Sequence, residues 1–207
     1  MKLQEKSIGI FVYQDVLDGT NFIQELEKEC LRGAETFWTR SLIGNNGEEK
    51  EYRSSESCDL QWIMNPGKTH HLYDMFRNDV YLPLQDCFLD YSSHFMAKSG
   101  YHEPMQMLKY ENGARYATHL DTGQGVNRLF SLVAILENTS SGGVLEFPFH
   151  KVEVEATPGS VVLFPSGLTY DHQAQLRVQK FDKNLMKTTK FHTKLRILET
   201  FVYFTQY

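Results

Sequence analysis

His119 and Asp121 stand two residues apart in the stretch Leu108-Lys-Tyr-Glu-Asn-Gly-Ala-Arg-Tyr-Ala-Thr-His-Leu-Asp121. On a β-strand, side chains at i and i+2 project to one side, so an imidazole and a carboxylate would converge there. One more histidine from a distant segment would complete a face of two histidines and one carboxylate. Such a face binds Fe(II) and leaves open positions for a co-substrate and O2. The chain has eight histidines, His119 included. His70, His71, His94 and His102 precede the strand-rich part, and His150 falls in a turn, Pro148-Phe-His-Lys. His172 and His192 remain. His172 follows Pro158-Gly-Ser-Val-Val-Leu-Phe-Pro-Ser-Gly167, a strand closed by turn residues, so it sits at a strand mouth from which a side chain reaches inward. It is the preferred third donor, with His192 as its rival. A His-x-Asp triplet by itself is more often a surface or hydrogen-bonded pair, so its surroundings must carry the weight.

Those surroundings divide into two halves. In the first, Ile8–Tyr13 reads as a short apolar strand, and Thr20 or Asn21 caps a helix in which Phe22, Leu26 and Cys30 recur every four residues. Glu35–Ser41 and Leu60–Met64 are further strand candidates, separated by a polar loop, Gly44–Glu51. From about 68 to 98 the pattern is helical. Leu72, Met75 and Phe76 form one apolar face, and Leu84, Phe88, Tyr91 and Phe95 form another. Pro83 lies between them and suits the first turn of a second helix.

After Met105 the pattern changes. Leu129–Leu136, Val144–Phe149, Val152–Glu155, Val161–Phe164 and Arg196–Phe204 are apolar runs separated by Gly, Pro, Ser and Asn. Many short strands at such spacing imply an antiparallel double sheet. Helices before strands imply an α+β layout with the helices packed on one outer face.

Composition limits the function classes. A chain of 207 residues fits one domain. Its net charge of -5 argues against nucleic acid as the main partner, because phosphate contacts need clustered cations. Lys180, Lys183, Lys187, Lys190 and Lys194 are a local exception and read as a solvated loop. Cys30, Cys58 and Cys87 form no C-x-x-C, so neither a disulfide framework nor a zinc knuckle is indicated. Free thiols suit a reducing cytoplasm. The charged start, Met1-Lys-Leu-Gln-Glu-Lys-Ser, lacks the apolar run of a signal peptide, and no stretch is long enough to span a bilayer. The expectation is a cytoplasmic protein with neither membrane nor nucleic-acid partners.

Four ordered motifs carry a family resemblance. Tyr110-Glu-Asn-Gly-Ala-Arg-Tyr116-x-x-His119-x-Asp121 resembles the iron site of the prolyl 4-hydroxylase-like 2-oxoglutarate oxygenases. Gly142-Gly-Val-Leu-Glu-Phe147 is similar to that family's Gly-Gly-x-Leu strand, and Pro158-Gly-Ser-Val-Val-Leu-Phe-Pro-Ser166 to its next strand. Arg196-Ile-Leu-Glu-Thr200-Phe-Val-Tyr-Phe204 resembles its closing strand. The match runs from about residue 105 to 207. It implies a double-stranded β-helix (jelly-roll, cupin-like) core with N-terminal supporting helices, in one dioxygenase domain over 1–207. Residues 1–104 would be helical support and substrate loop, and 105–207 the iron-binding core.

The resemblance also implies roles. His119, Asp121 and His172 would ligate Fe(II) and form the catalytic centre. The far carboxylate of 2-oxoglutarate would rest on Arg196, whose fork grips a carboxylate through two parallel hydrogen bonds. Thr200, an even spacing further on, and Tyr110 would add hydroxyls to the same co-substrate. One departure stands out. The family's basic residue follows the second histidine closely, whereas His172 and Arg196 are 24 positions apart (196 − 172). The extra residues, about 175 to 194, read as a loop insertion, which costs little closure entropy. Lys194 shares the strand parity of Arg196 and is the alternative anchor.

The implied reaction is hydroxylation of proline in a peptide or protein, with 2-oxoglutarate and O2 consumed, succinate and CO2 released, and ascorbate as reductant. Gly44–Ser57 resembles the family's substrate-covering loop. Tyr52 and Arg53 within it, with Trp38 and Trp62 beside it, would contact an extended peptide, since aromatic faces suit a proline ring. Core packing of both tryptophans is the competing reading. A hydroxylase of a free amino acid or other small molecule would share every iron-site residue. A nucleic-acid demethylase would want a basic groove and a second arginine where Val202 stands. A non-catalytic module would keep the barrel and lose iron.

Overall fold

The computed structural model describes the chain apart from residues 19, 33–37, 42–52, 62, 64–69, 97–100, 112–113, 123–127, 139–142, 177–193 and 204–207; for the closing strand it describes the backbone only. The strands are β1 (Lys2–Ser7), β2 (Ile10–Gln14), β3 (Thr39–Arg40), β4 (Ser55–Asp59), β5 (Tyr101–His102), β6 (Gln106–Glu111), β7 (Arg115–His119), β8 (Arg128–Asn138), β9 (Gly143–Phe147), β10 (Val152–Glu155), β11 (Val161–Pro165), β12 (His172–Leu176) and β13 (Lys194–Tyr203). The helices are α1 (Thr20–Arg32), α2 (His70–Met75) and α3 (Leu82–His94), with a π-helical stretch, Phe76–Tyr81, joining the last two.

Two antiparallel sheets face each other. The larger has nine strands in the order β1-β2-β11-β8-β13-β6-β4-β3, with β5 beside β13; the smaller runs β10-β9-β12-β7. This is a double-stranded β-helix with its helices packed on the outer face of the large sheet, so the fold is α+β as the sequence implies. Strand parity divides the apolar residues between two layers. Phe11 and Tyr13 of β2, Leu132 and Ala134 of β8, and Val161 and Leu163 of β11 meet Phe22, Leu26, Leu72, Phe76 and Leu84 of the helices. Their neighbours Ile10, Val12, Val133, Ile135, Val162 and Phe164 fill the space between the sheets with Leu108, Tyr110, Leu145 and Phe147. Buried on both faces, β2, β8 and β11 therefore read as continuous apolar runs.

Turn chemistry fixes the register. Gly159 has φ +80°, and a Cβ there would meet the Leu17 carbonyl oxygen at 2.6 Å. That carbonyl's neighbour, the Val16 N–H, donates to the Gly159 oxygen at 2.9 Å, which ties the chain leaving β2 to the turn before β11.

Three expectations change. Ile8 lies in the β1–β2 turn, and Lys2–Ser7 forms a strand that no apolar pattern announces; its residues are almost all exposed, as suits an edge strand guarded by charge. The strand near Leu60–Met64 is instead the polar run Ser55–Asp59, which pairs with β6, while Leu60 and Ile63 follow it as buried residues outside any strand. The N-terminal half thus supplies five strands, β1 to β5, to the large sheet as well as the helices. Pro83 does fall in the first turn of α3, but the helical path is unbroken. A proline ring clashes with the carbonyl four residues back, here that of Asp79. Asp79 lies in the wider π-helical turns, so the helix expands at that point instead of stopping. Among the described residues no helix is long and apolar enough to cross a membrane.

Candidate metal centre

β7 and β12 are neighbours in the small sheet, and their register sets His119 directly opposite His172. His119 ends β7 and His172 begins β12, so both rings lie at one mouth of the barrel. Asp121 lies in a bend just past the end of β7. It therefore reaches the same point through that bend, and the alternation expected of an i, i+2 pair on a strand is not what brings it there. One donor atom from each of the three residues lies within 4.8 Å of the other two. The Nε2 of His119 is 3.5 Å from Asp121 Oδ1, and the Nε2 of His172 is 3.5 Å from Asp121 Oδ2.

Both imidazoles are oriented by backbone. His119 Nδ1 lies 2.9 Å from the Ala117 carbonyl oxygen, and His172 Nδ1 lies 3.2 Å from that of Tyr170. A carbonyl only accepts, so each Nδ1 carries the proton and each Nε2 lone pair points to the shared space. The side chains of His119, Asp121 and His172 are 8%, 6% and 3% exposed. Burial pushes His172 down from the ordinary histidine value, which keeps it neutral and fit to donate electrons to a cation. Burial pushes the Asp121 carboxyl up, but in the metal-free site the positive charge that the facing imidazoles carry when protonated, together with the Ser131 hydroxyl, favours the ionised form more strongly and holds it at about 2. Two neutral imidazoles and a carboxylate are the donor set that suits non-haem Fe(II), so the residues present fit that ion.

Other side chains brace this point. The Phe164 and Phe147 rings lie 4.7 and 5.8 Å from that of His172 and form an apolar back wall. Tyr116 stacks on His119 with centroids 3.5 Å apart, and the Arg53 guanidinium lies 4.3 Å from the centre of the Tyr116 ring. Arg128 donates to Glu103 through Nε at 2.7 Å and Nη2 at 2.8 Å, and through Nη1 to the Asp121 carbonyl at 3.0 Å. Ser131 Oγ lies 2.6 Å from Asp121 Oδ2. No role at the site is foreseen from the sequence for Phe147, Phe164, Tyr116, Arg128 or Ser131, although Tyr116, Phe147 and Phe164 stand within the motifs quoted above and Ser131 is the one hydroxyl in the apolar run Leu129–Leu136.

The remaining candidates fall in different places. Tyr110 is fully buried in the layer between the sheets. The backbone of Arg196 pairs with Lys109 and Glu137, and that of Thr200 with Leu132, which puts both in the centre of the large sheet. The side chains of Arg196, Thr200 and Lys194 lie outside the described residues, as do His192, Tyr52 and Trp62. Arg53 stands over the Tyr116–His119 stack. Trp38 packs at the margin of the helix-facing layer, with Lys109 Nζ 5.4 Å from its ring.

Residues 105–189 match the model of the 2OG-Fe(II) oxygenase superfamily. No curated protein matches the sequence. A prolyl-4-hydroxylase from Pseudomonas putida has a similar structure, with a TM-score of 0.63 and 19% identity over 96% of this chain and 94% of that one. The viral collagen prolyl hydroxylase of Paramecium Bursaria Chlorella virus-1, solved with 2OG, has a TM-score of 0.58 and 19% identity over 93% and 94%. A Trichoplax adhaerens prolyl hydroxylase bound to a hypoxia inducible factor peptide has a TM-score of 0.63 and 12% identity over 94% and 83%. At such identities the structural likeness establishes the fold. The chain thus joins a fold like that of prolyl hydroxylases to a match with the 2OG-Fe(II) oxygenase superfamily over residues 105–189.

Proposed function

We propose that the protein hydroxylates proline within a peptide or protein, with His119, Asp121 and His172 holding Fe(II). The observation that carries this reading is the convergence of those three donors, from two strands and a bend, on one buried point in the oxygenase domain. When bound, iron and 2-oxoglutarate supply the oxidative chemistry: one atom of O2 enters a substrate C–H bond as hydroxyl, and the other enters succinate as CO2 leaves.

The chain's own residues bind, orient and shield. The two imidazoles present Nε2 lone pairs fixed by their carbonyl partners, and Asp121 offsets part of the metal's charge. Phe147 and Phe164 exclude water behind His172. Arg196 would grip the far carboxylate of 2-oxoglutarate, with Lys194 as the alternative cation, and Tyr110 and Thr200 would donate hydroxyl hydrogen bonds to the co-substrate. Arg53, whose guanidinium stands over the Tyr116–His119 stack, would meet the substrate at the mouth; Trp38 packs at the helix-facing margin instead, as its core reading has it, and Tyr52 and Trp62 lie outside the described residues. A peptide partner is supported by the Trichoplax neighbour, which holds a peptide on the same fold. Ascorbate serves as reductant.

The test is mass spectrometry of proline-containing peptides, with free proline in parallel, after incubation with the protein, Fe(II), 2-oxoglutarate and O2. A gain of one oxygen on a peptide, matched by succinate, is expected. Oxygen gained by free proline and by no peptide moves the reading to a small-molecule hydroxylase. Absence of succinate across a broad panel overturns the assignment of substrate to this site.

A further inference from the structure

Asp121 straddles the two imidazoles, with one oxygen 3.5 Å from each Nε2. By distance alone either oxygen, or both together, can reach a cation seated between the rings. The tie is broken from β8. Ser131 Oγ lies 2.6 Å from Asp121 Oδ2 and 2.8 Å from Ser166 Oγ. A carboxylate that holds a cation only accepts hydrogen bonds, and a hydroxyl has one proton to give. Ser131 must therefore donate to Oδ2, and the proton in the second contact must come from Ser166. Both serines are sealed from solvent, at 0% and 1% exposure. Turning either hydroxyl away would strand a buried polar group, so the direction of the relay is fixed. It ends on one oxygen of one ligand.

We propose that Ser131 is a positioning residue that makes Asp121 a one-oxygen ligand, tethering Oδ2 to β8 and leaving Oδ1 to the metal. This rests on the metal-site reading above and deepens it. The number of donors gives the tether its purpose. An octahedral ion with three protein donors keeps three positions, two for a chelating co-substrate and one for O2. A carboxylate bound through both oxygens takes a fourth, and the site then lacks room for both reactants. The Ser131–Ser166 pair protects that last position without touching the metal.

Water-proton relaxation of the full chain loaded with Mn(II) counts exchangeable waters on the ion, independently of turnover. In the wild type three bound waters are expected, falling to one when 2-oxoglutarate is added. In Ser131→Ala the freed Oδ2 joins the metal. The inner-sphere relaxation then falls by about a third without co-substrate and disappears with it. Ser131→Thr keeps the hydroxyl and restores the wild-type values. Ser166→Ala leaves the donor but frees its orientation, so it shifts relaxation the same way by a smaller amount; it carries the test if Ser131→Ala does not fold. Relaxation equal to wild type in these alanine variants overturns the proposal. So does weaker Mn(II) binding with an unchanged water count, which would make the tether a matter of strength alone. A wild-type chain that takes up no Mn(II) is a different failure, because it removes the metal site itself.

Discussion

The two faces of β8 do different work with alternate residues. Phe130, Leu132, Ala134 and Leu136 pack against the helices, in a layer where Tyr13 and Tyr91 bury their rings and find acceptors at its margin, Asp90 Oδ2 at 2.7 Å and the Gly9 oxygen at 2.8 Å. Val133 and Ile135 pack between the sheets, but on the same strand Ser131 breaks the apolar run and joins Asp121, His172 and Ser166 at the mouth. The first layer is apolar apart from the tyrosine hydroxyls that reach acceptors at its margin. The second is apolar where it closes the barrel and polar where it opens. Because adjacent residues on a strand face opposite layers, stability and metal binding can be perturbed separately by moving one residue along the chain.

The largest effects fall on the mouth. Asp121→Asn removes the charge that offsets the metal, and His172→Ala removes a donor atom. In each, iron uptake and succinate production should fall to background while the far-ultraviolet circular dichroism spectrum is kept, since neither residue supports the helix-facing layer. Iron analysis after anaerobic loading checks this. A His172→Ala protein that binds iron as the wild type does would remove β12 from the site.

The next pair sharpens the comparison, because its members are adjacent. Leu163 faces the helices and Phe164 faces the barrel, and both are fully buried. Leu163→Ala should cost about 2–5 kcal/mol of folding stability and Phe164→Ala about 3–5 kcal/mol, as expected for cavities in a packed interior. Only the second touches the ring of a metal-site histidine, at 4.7 Å. In protein that remains folded, Phe164→Leu should therefore weaken metal binding by about tenfold, the lower end for a supporting residue, and Leu163→Ala should leave it unchanged. Equal losses of metal affinity in both would show that the two layers do not act separately.

This separation also explains what the sequence disclosed. Strand-length apolar runs with turn residues between them gave β8, β9, β10, β11 and β13 to within a few residues, but not β12, whose polar run His172–Leu176 lies where the loop insertion was expected to begin. The pair His119 and Asp121 and the turn before His172 were legible locally as well. Lys2–Ser7 was not, because its order comes from pairing with β2 and not from its own pattern. Leu60–Met64 attracted a strand that belongs to Ser55–Asp59, whose partner β6 lies some fifty residues on and whose polar residues make a poor local signal. Ser131 passed as an apolar-strand residue because Asp121 and Ser166, ten and 35 positions away, are what give it meaning. Tyr116 and Arg128 likewise matter through what folding brings beside them.

A change of pH tests the same contrast more gently. Burial holds folded His172 below the ordinary value of 6.5 that the unfolded chain retains. The unfolded state therefore binds the proton first as pH falls, and stability must decline with it. In metal-free protein this contribution is intact above about pH 6.5 and is lost progressively below it, by at most about 1.4 kcal/mol per pH unit. His172→Gln has no such proton to bind and should flatten that part of the profile, while Leu163→Ala lowers the whole curve without changing its slope. Thermal midpoints between pH 5 and pH 8 decide this. An unchanged slope in His172→Gln would assign the acid sensitivity elsewhere.

The smallest effect is expected at Arg128, which holds the backbone of Asp121 while Ser131 holds its carboxylate. Its guanidinium serves both oxygens of Glu103 and the Asp121 carbonyl at once, a geometry that a single ammonium does not reproduce. The Arg128–Glu103 pair is about a quarter exposed, with both side chains at 23%, so solvent screening limits its worth. Arg128→Lys should cost about 1 kcal/mol of stability and weaken metal binding by no more than a few fold. A double-mutant cycle with Glu103→Gln separates the two contacts. If the coupling to Glu103 accounts for the whole loss and metal affinity is untouched, the bend at Asp121 is set by the carboxylate's partner in β8 alone. If affinity falls even where Glu103 is already neutral, the bond to the Asp121 carbonyl carries part of the placement, and the mouth is held from backbone and side chain together.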